Sequence, residues 1–229
     1  IMDYIRDHWR MLVVILSVAL IVIGGSIFGY QYVKQHYLIP KDIEQHNEQL
    51  LKKDIKDKRD IDPSYDAKNV QSIGKTKAED IDPSYLNGVV VVPSVNIKLP
   101  ILEGISNNNL NYGAGTMKPN QQLGKGNYAL AGHYAYNRSA LFTPLENVQI
   151  GSKVYMTDKN NVYEYKVQKK YVVDPTHTEV IKDKKDKKMM TLVTCNDVEG
   201  HKRIIVQGDL ENVYDVKDAP NNVKNSINY

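Results

Sequence analysis

Cysteine is almost absent from this sequence: Cys195 is the only one in 229 residues. That excludes an intramolecular disulfide and any CxxC metal or redox framework. The thiol is left as buried filler, an intermolecular bridge or chemistry. Phenylalanine and tryptophan are scarce too, at 2 and 1 against 16 tyrosines. Aromatic surface with a hydroxyl at its tip suits a β-rich domain with half-wet faces. Charge excess is the third absence. With 30 basic and 27 acidic residues the net charge is only +3, which argues against a dedicated nucleic-acid surface and its domain-wide basic excess. The rest is ordinary: 41% apolar and 25% charged residues. That is enough to bury a core in one domain of usual size plus a smaller accessory segment.

Long apolar runs are missing as well, with one exception. Met11–Phe28 reads MLVVILSVALIVIGGSIF, without a charge, and as a helix comes close to crossing a ~30 Å hydrocarbon core. Trp9 and Tyr30 bracket it, as interfacial aromatics do. A cleaved signal peptide is the competing reading, because Gly24, Gly25 and Ser26 are small. The run exceeds a typical signal-peptide core, which favours an uncleaved anchor. Arg6 and Arg10 precede it and Lys34 and Lys41 follow, so the charge count leaves orientation open.

The chain then divides into an N-terminus (1–10), a transmembrane anchor (11–30), a polar stalk (31–85), a β domain (86–214) and a polar tail expected to fray (215–229). In the stalk, Ile43, Leu50, Leu51 and Ile55 make a thin helical stripe. The hexapeptide DIDPSY occurs twice, at Asp60–Tyr65 and Asp80–Tyr85. Asp-Pro favours turns, so the copies read either as turns in a spacer or as a segment folding back on the domain. Two copies make no repeat architecture. The domain itself holds many short strands: VVVV (Val89–Val92), VNIKLPIL (Val95–Leu102), NYALAGH (Asn127–His133), KVYMT (Lys153–Thr157), VYEYKVQKKYVV (Val162–Val173), MMTLVT and KRIIVQGDL. One short helix is expected near Ser139–Asn147. The pattern predicts an all-β sandwich or closed barrel with short helices.

Cys195 ends one of these strands, and Arg203 begins the next after a loop of Asn, Asp, Glu and Gly. If the two strands pair, a guanidinium stands beside a thiol, where it stabilises a thiolate and offers donors to an oxyanion. A catalytic cysteine also needs a proton carrier, usually histidine. His8 precedes the anchor, and His36 and His46 lie in the stalk. His133, His177 and His201 remain; His133, where the ALAG strand opens into a loop, is the favoured one. A zinc site from Cys195, His177 and His201 lacks a recognisable ligand spacing. Core filler stays open for the thiol at this point, since free cysteines are often simply buried.

TLVTC (Thr191–Cys195), Arg203 in KRIIVQGDL and LAGH (Leu130–His133), together with VPSVNIKLPIL, GKGNYALAGH and VYEYKV, resemble the sortases of Gram-positive bacteria over residues 86–210. The TLxTC form and the N-terminal anchor, with no second apolar span in the sequence, look most like class A rather than class C. The resemblance implies a closed eight-stranded β-barrel behind the transmembrane helix and stalk. It implies His133, Cys195 and Arg203 as catalytic residues, and Ala129, Ala131, Val180, Ile181 and Thr194 as substrate contacts. The implied activity is cleavage of an LPxTG-type sorting signal between Thr and Gly through a thioacyl-enzyme, with transfer to an amine. Its partners would be surface proteins carrying that signal, a lipid II-like cell-wall precursor amine and the bilayer, with no nucleic acid. The implied topology is single-pass in the cell membrane, N-terminus cytoplasmic and catalytic domain outside. A protease that only hydrolyses, a sortase of another class with an altered motif, and a non-catalytic surface β-module are the alternatives.

Two features depart from the family. Some class A members bind calcium through loop carboxylates, but Ser106–Gly113 reads SNNNLNYG with none, so calcium-independent activity without a cofactor is expected. The stalk with its two DIDPSY copies loosely resembles the lid segments of some relatives, and a lid over the site is a second expectation. The loop carrying Thr176–Lys188 is expected to gate substrate entry, its KDKKDKK run being a solvated tip.

Overall fold

Eight strands account for the β-rich composition: β1 (Leu86–Val92), β2 (Ile97–Leu102), β3 (Ala114–Thr116), β4 (Asn127–Ala131), β5 (Lys153–Thr157), β6 (Asn161–Val173), β7 (Met189–Cys195) and β8 (Arg203–Asp215). They close into a barrel in the order β1-β2-β3-β4-β7-β8-β6-β5. The structure, a computed structural model, describes residues 2–55, 61–67 and 82–227. It divides into two units, residues 1–41 and 42–229. In the first, helix α1 (Met2–Val33) contains a run long and apolar enough to cross a membrane.

The valine run of β1 has no polar alternation because both its faces are covered. Val90 and Val92 are fully buried in the barrel. Val89 and Val91 pack outside it with Tyr155, Val162, Ala219 and Val223. Two of those partners come from the tail, whose described residues pack on the domain rather than forming the expected polar, fraying end. Val216, Ala219, Val223 and Ile227 follow one helical stripe. Helix α4 (Asn221–Ile227) and the turn before it place them on the barrel wall. Each valine so buried contributes about 1.5–3 kcal/mol. Polar neighbours hid the stripe from a composition-based reading.

From Asp42 onward the stalk belongs to the same unit as the barrel. Helix α2 (Ile39–Lys52) buries Ile43 and Leu50, two residues of the expected stripe. The first DIDPSY copy docks on the end of β2. Ile105 N–H donates to the Ser64 carbonyl at 2.7 Å, and Tyr65 Oη donates to Glu103 Oε1 at 2.5 Å. Gly104 adopts φ +82°, and a Cβ there would lie 2.7 Å from the Ser64 carbonyl oxygen. The Glu103 carboxylate is buried and also accepts from Asn87 Nδ2 and Thr116 Oγ1, which offsets the cost of taking it from water. Tyr85 of the second copy donates to the Asp62 carbonyl of the first, at 3.4 Å. The described residues of the first copy therefore fold back on the domain, and Tyr85 of the second copy meets them. The contacts described above for this stretch are with Glu103, Gly104 and Ile105 at the end of β2 and with Tyr85. They give the lid expectation no support; residues 56–60 and 68–81 lie outside the described ones.

Three local elements depart from expectation. Helix α3 (Asn107–Tyr112) forms from an asparagine-rich stretch because Ser106 Oγ accepts from Asn109 N–H and caps it. The helix expected near Ser139–Asn147 is a 3-10 turn over Thr143–Asn147. β8 continues past Leu210 to Asp215, paired with β6 along its length through two register shifts.

Candidate active site

Three neighbouring strands bring the chemistry to one end of the barrel. β4 and β7 run parallel with Ala131 opposite Val193. Cys195 lies two residues past Val193 at the end of β7, and His133 lies two residues past Ala131, just beyond the end of β4. Gly132 N–H donates to the Val193 carbonyl at 3.0 Å and Phe142 N–H to the His133 carbonyl at 3.1 Å. These bonds fix the backbone on either side of the imidazole. β7 and β8 are antiparallel, and Cys195 pairs directly with Arg203. Cys195 and Arg203 are half-buried, and His133 is 9% exposed.

The connecting turn is built around Asp197. Its Oδ1 accepts from Gly200 N–H at 2.5 Å and His201 N–H at 3.1 Å. The Gly200 carbonyl in turn accepts from Arg203 Nη1 at 2.9 Å. Gly200 holds φ +77°, and a Cβ there would stand 3.6 Å from both Cys195 Sγ and Arg203 Nη1. Sequence reasoning did not single out Asp197. The signal was present in the Asp-x-x-Gly spacing of 197-DVEG-200, a turn whose side chain caps its own backbone.

Burial sets the ionisation of the pair. It holds the His133 imidazole down at about 4 and pushes the Cys195 thiol up, with Arg203 pulling it down and Asp197 adding to the rise. At neutral pH both groups are therefore neutral, and the thiolate is a minority species. Alkylation of Cys195 by iodoacetamide should accelerate about tenfold per pH unit from pH 6 to 8.5 without levelling. A rate plateau across pH 5–8, as a preformed thiolate–imidazolium pair gives, would contradict this assignment.

The other candidates separate. His177 is exposed ahead of the 3-10 turn Thr178–Ile181. His201 is exposed, with Nδ1 3.2 Å from Asp197 Oδ2. Among the described residues, the one group with metal-ligand proximity is Asp197, Glu199 and His201, so the Cys195–His177–His201 zinc set is not assembled. Of the expected substrate contacts, Ala131, Val180 and Ile181 are half-buried. Ala129 is fully buried opposite Thr191. Thr194 is 2% exposed and, by strand alternation, on the face opposite Cys195. Neither Ala129 nor Thr194 presents surface to a ligand in this conformation. The loop before β7 is tied down: Lys118 Nζ lies 2.7 Å from Asp183 Oδ1 and holds that carboxyl below its usual range.

A Sortase domain family model matches residues 90–211, more than half of the chain. The chain belongs to the sortase family. This sortase is 37% identical to a sortase A of Streptococcus agalactiae over 209 residues, covering 86% of this chain and 83% of that protein. It is 34% identical to sortase A of Listeria monocytogenes, over 86% of this chain and 90% of the relative. The solved Listeria sortase A structure superposes with a TM-score of 0.59 at 36% identity, covering 64% of this chain and 99% of that one. The sortase is thus most like class A, and its family is one of cysteine transpeptidases.

Proposed function

We propose that this sortase is anchored in the cell membrane of a Gram-positive bacterium and cuts LPxTG-type sorting signals of surface proteins between Thr and Gly. The observation that carries the reading is the register that aligns His133, Cys195 and Arg203 at one end of three adjacent strands. In this reading His133 takes the thiol proton, and the Cys195 sulfur attacks the threonine carbonyl. The new C–S bond drives charge onto oxygen, where Arg203 donates. Its bonds to Gly200 and Lys202 both come from Nη1, and the guanidinium has five N–H groups to share. The C–N bond then breaks as His133 returns its proton to the leaving glycine amine, giving a thioacyl-enzyme. An amine of a lipid II-like precursor attacks the thioester, the C–S bond breaks as the amide C–N bond forms, and the amine's proton passes by way of His133 to the Cys195 sulfur. The catalytic unit works outside the membrane, with the N-terminus cytoplasmic.

Calcium has no step in this scheme. Asn109 in the Ser106–Gly113 segment spends its amide on the Glu103 and Gly104 carbonyls. Asp183, a carboxylate of the loop before β7, is engaged by Lys118. The Ser106–Gly113 segment holds no carboxylate, whereas calcium prefers several charged oxygens.

Incubating the full chain in detergent with a Leu-Pro-any-Thr-Gly peptide and an oligoglycine amine tests the proposal by mass spectrometry. The expected products are the Thr-linked amide, the released Gly fragment and a thioacyl adduct on Cys195, at equal rates with chelator or calcium. A Leu-Pro-any-Thr peptide acid in place of the amide, beside the Gly fragment, would favour simple hydrolysis. A several-fold rise with calcium would overturn the metal-independent reading.

A further inference from the structure

Four groups close a hydrogen-bonded ring under the turn Thr178–Ile181. Asn127 Nδ2 donates to the Val180 carbonyl at 3.0 Å and to the Lys182 carbonyl at 3.2 Å. Thr191 Oγ1 donates to Asn127 Oδ1 at 2.8 Å. Gln207 Nε2 donates to Thr191 Oγ1 at 3.2 Å and to the Val180 carbonyl at 3.0 Å. The Val180 carbonyl is the common acceptor, approached by Asn127, Gln207 and, at 3.3 Å, also by Thr191 Oγ1. The three side chains come from β4, β7 and β8 and are at most 5% exposed. Such a network rigidifies when every member is satisfied, and costs free energy when one is lost.

Its position gives it a use. Ala129, Thr191 and Gln207 sit side by side across the sheet, and Ala131, Val193 and Ile205 form the next row, toward Cys195. From Thr191 to Cys195 is four residues of strand, about 13 Å, the reach of four extended residues. A peptide with its scissile carbonyl at Cys195 that ran back along these strands would reach the level of the turn holding Val180 and Ile181.

We infer that Asn127, Thr191 and Gln207 are positioning residues that hold the Thr178–Ile181 turn ready for the apolar end of the sorting signal. The inference rests on the sorting-signal reading for its substrate. The turn is clamped from below, so the binding wall exists before the peptide arrives and little ordering cost falls on binding.

The test replaces Thr191→Val and Gln207→Met separately in the full chain, with Thr191→Ser as the conservative control. Each disruptive change should raise KM for the sorting-signal peptide about 5- to 10-fold, with kcat within about twofold. Amide hydrogen exchange over Thr176–Lys188 should speed up, while the Cys195 alkylation rate stays at the wild-type value. Thr191→Ser should keep wild-type KM and exchange. Unchanged KM and exchange in both disruptive variants would overturn the inference. So would a loss of kcat and altered alkylation in step with KM, which marks general damage to the barrel. If the wild-type chain turns over no such peptide, the substrate reading fails while exchange still decides whether the ring holds the turn.

Discussion

Cys195→Ala should abolish turnover, lowering kcat by more than about 10⁴-fold, with no covalent acyl adduct by mass spectrometry. The reason is chemical economy in this chain. Cys195 is the only thiol, so no second sulfur takes over the acyl group, and the proposed route passes entirely through a C–S bond. The fold should survive. Cys195 sits at the last residue of β7, half-buried, where its backbone pairing with Arg203 does not depend on the side chain. Losing one sulfur there should cost about 1 kcal/mol, a melting shift of a few degrees. Circular dichroism and thermal melting separate this outcome from collapse. An alanine variant that still cleaved peptide and passed it to an amine would end the nucleophile assignment and revive the reading of Cys195 as filler. Retained binding of the uncut peptide is the further expectation, because Val180, Ile181 and Ala131 are untouched.

The sheet was largely legible because its strands carry β-branched runs bounded by turn residues. TLVTC and KRIIV read as neighbours across a short polar turn, and they pair residue for residue up to Cys195 and Arg203. His133 was placed from its position at the mouth of a short apolar strand. The parallel register between β4 and β7 that delivers it was not readable, since residues 131 and 193 are far apart in sequence and no local pattern encodes their pairing. The tail misled because one apolar residue in three or four is diluted by Asn, Lys and Asp, yet that spacing is what a helix needs. The first DIDPSY copy left two readings open: Ile61–Tyr65 is too short to show periodicity, and its partners, Glu103 and Ile105, lie far along the chain. The ring of Asn127, Thr191 and Gln207 follows the same logic. Polar residues inside apolar strands look like lapses in the pattern until the carbonyl they converge on is seen.

Arg203→Lys should be almost as damaging as removing the nucleophile's partner outright, with kcat falling about 10²- to 10³-fold and KM changing little. In the proposed mechanism Arg203 has two tasks. Its Nη1 is held on the Gly200 and Lys202 carbonyls, and its other N–H groups would serve the oxyanion. Lysine supplies the same charge from one freely rotating ammonium. If it bonds Gly200 it leaves the oxyanion, and if it reaches the oxyanion it releases the turn that Asp197 organises. The positive charge that draws the thiol's ionisation downward is retained in the variant. Cys195 alkylation should therefore stay within a few-fold of wild type while single-turnover acylation collapses. That split distinguishes a lost oxyanion donor from a lost thiolate. Equal losses in alkylation and acylation would assign Arg203 to tuning the sulfur alone, and a variant keeping a third or more of wild-type kcat/KM would remove Arg203 from the transition state.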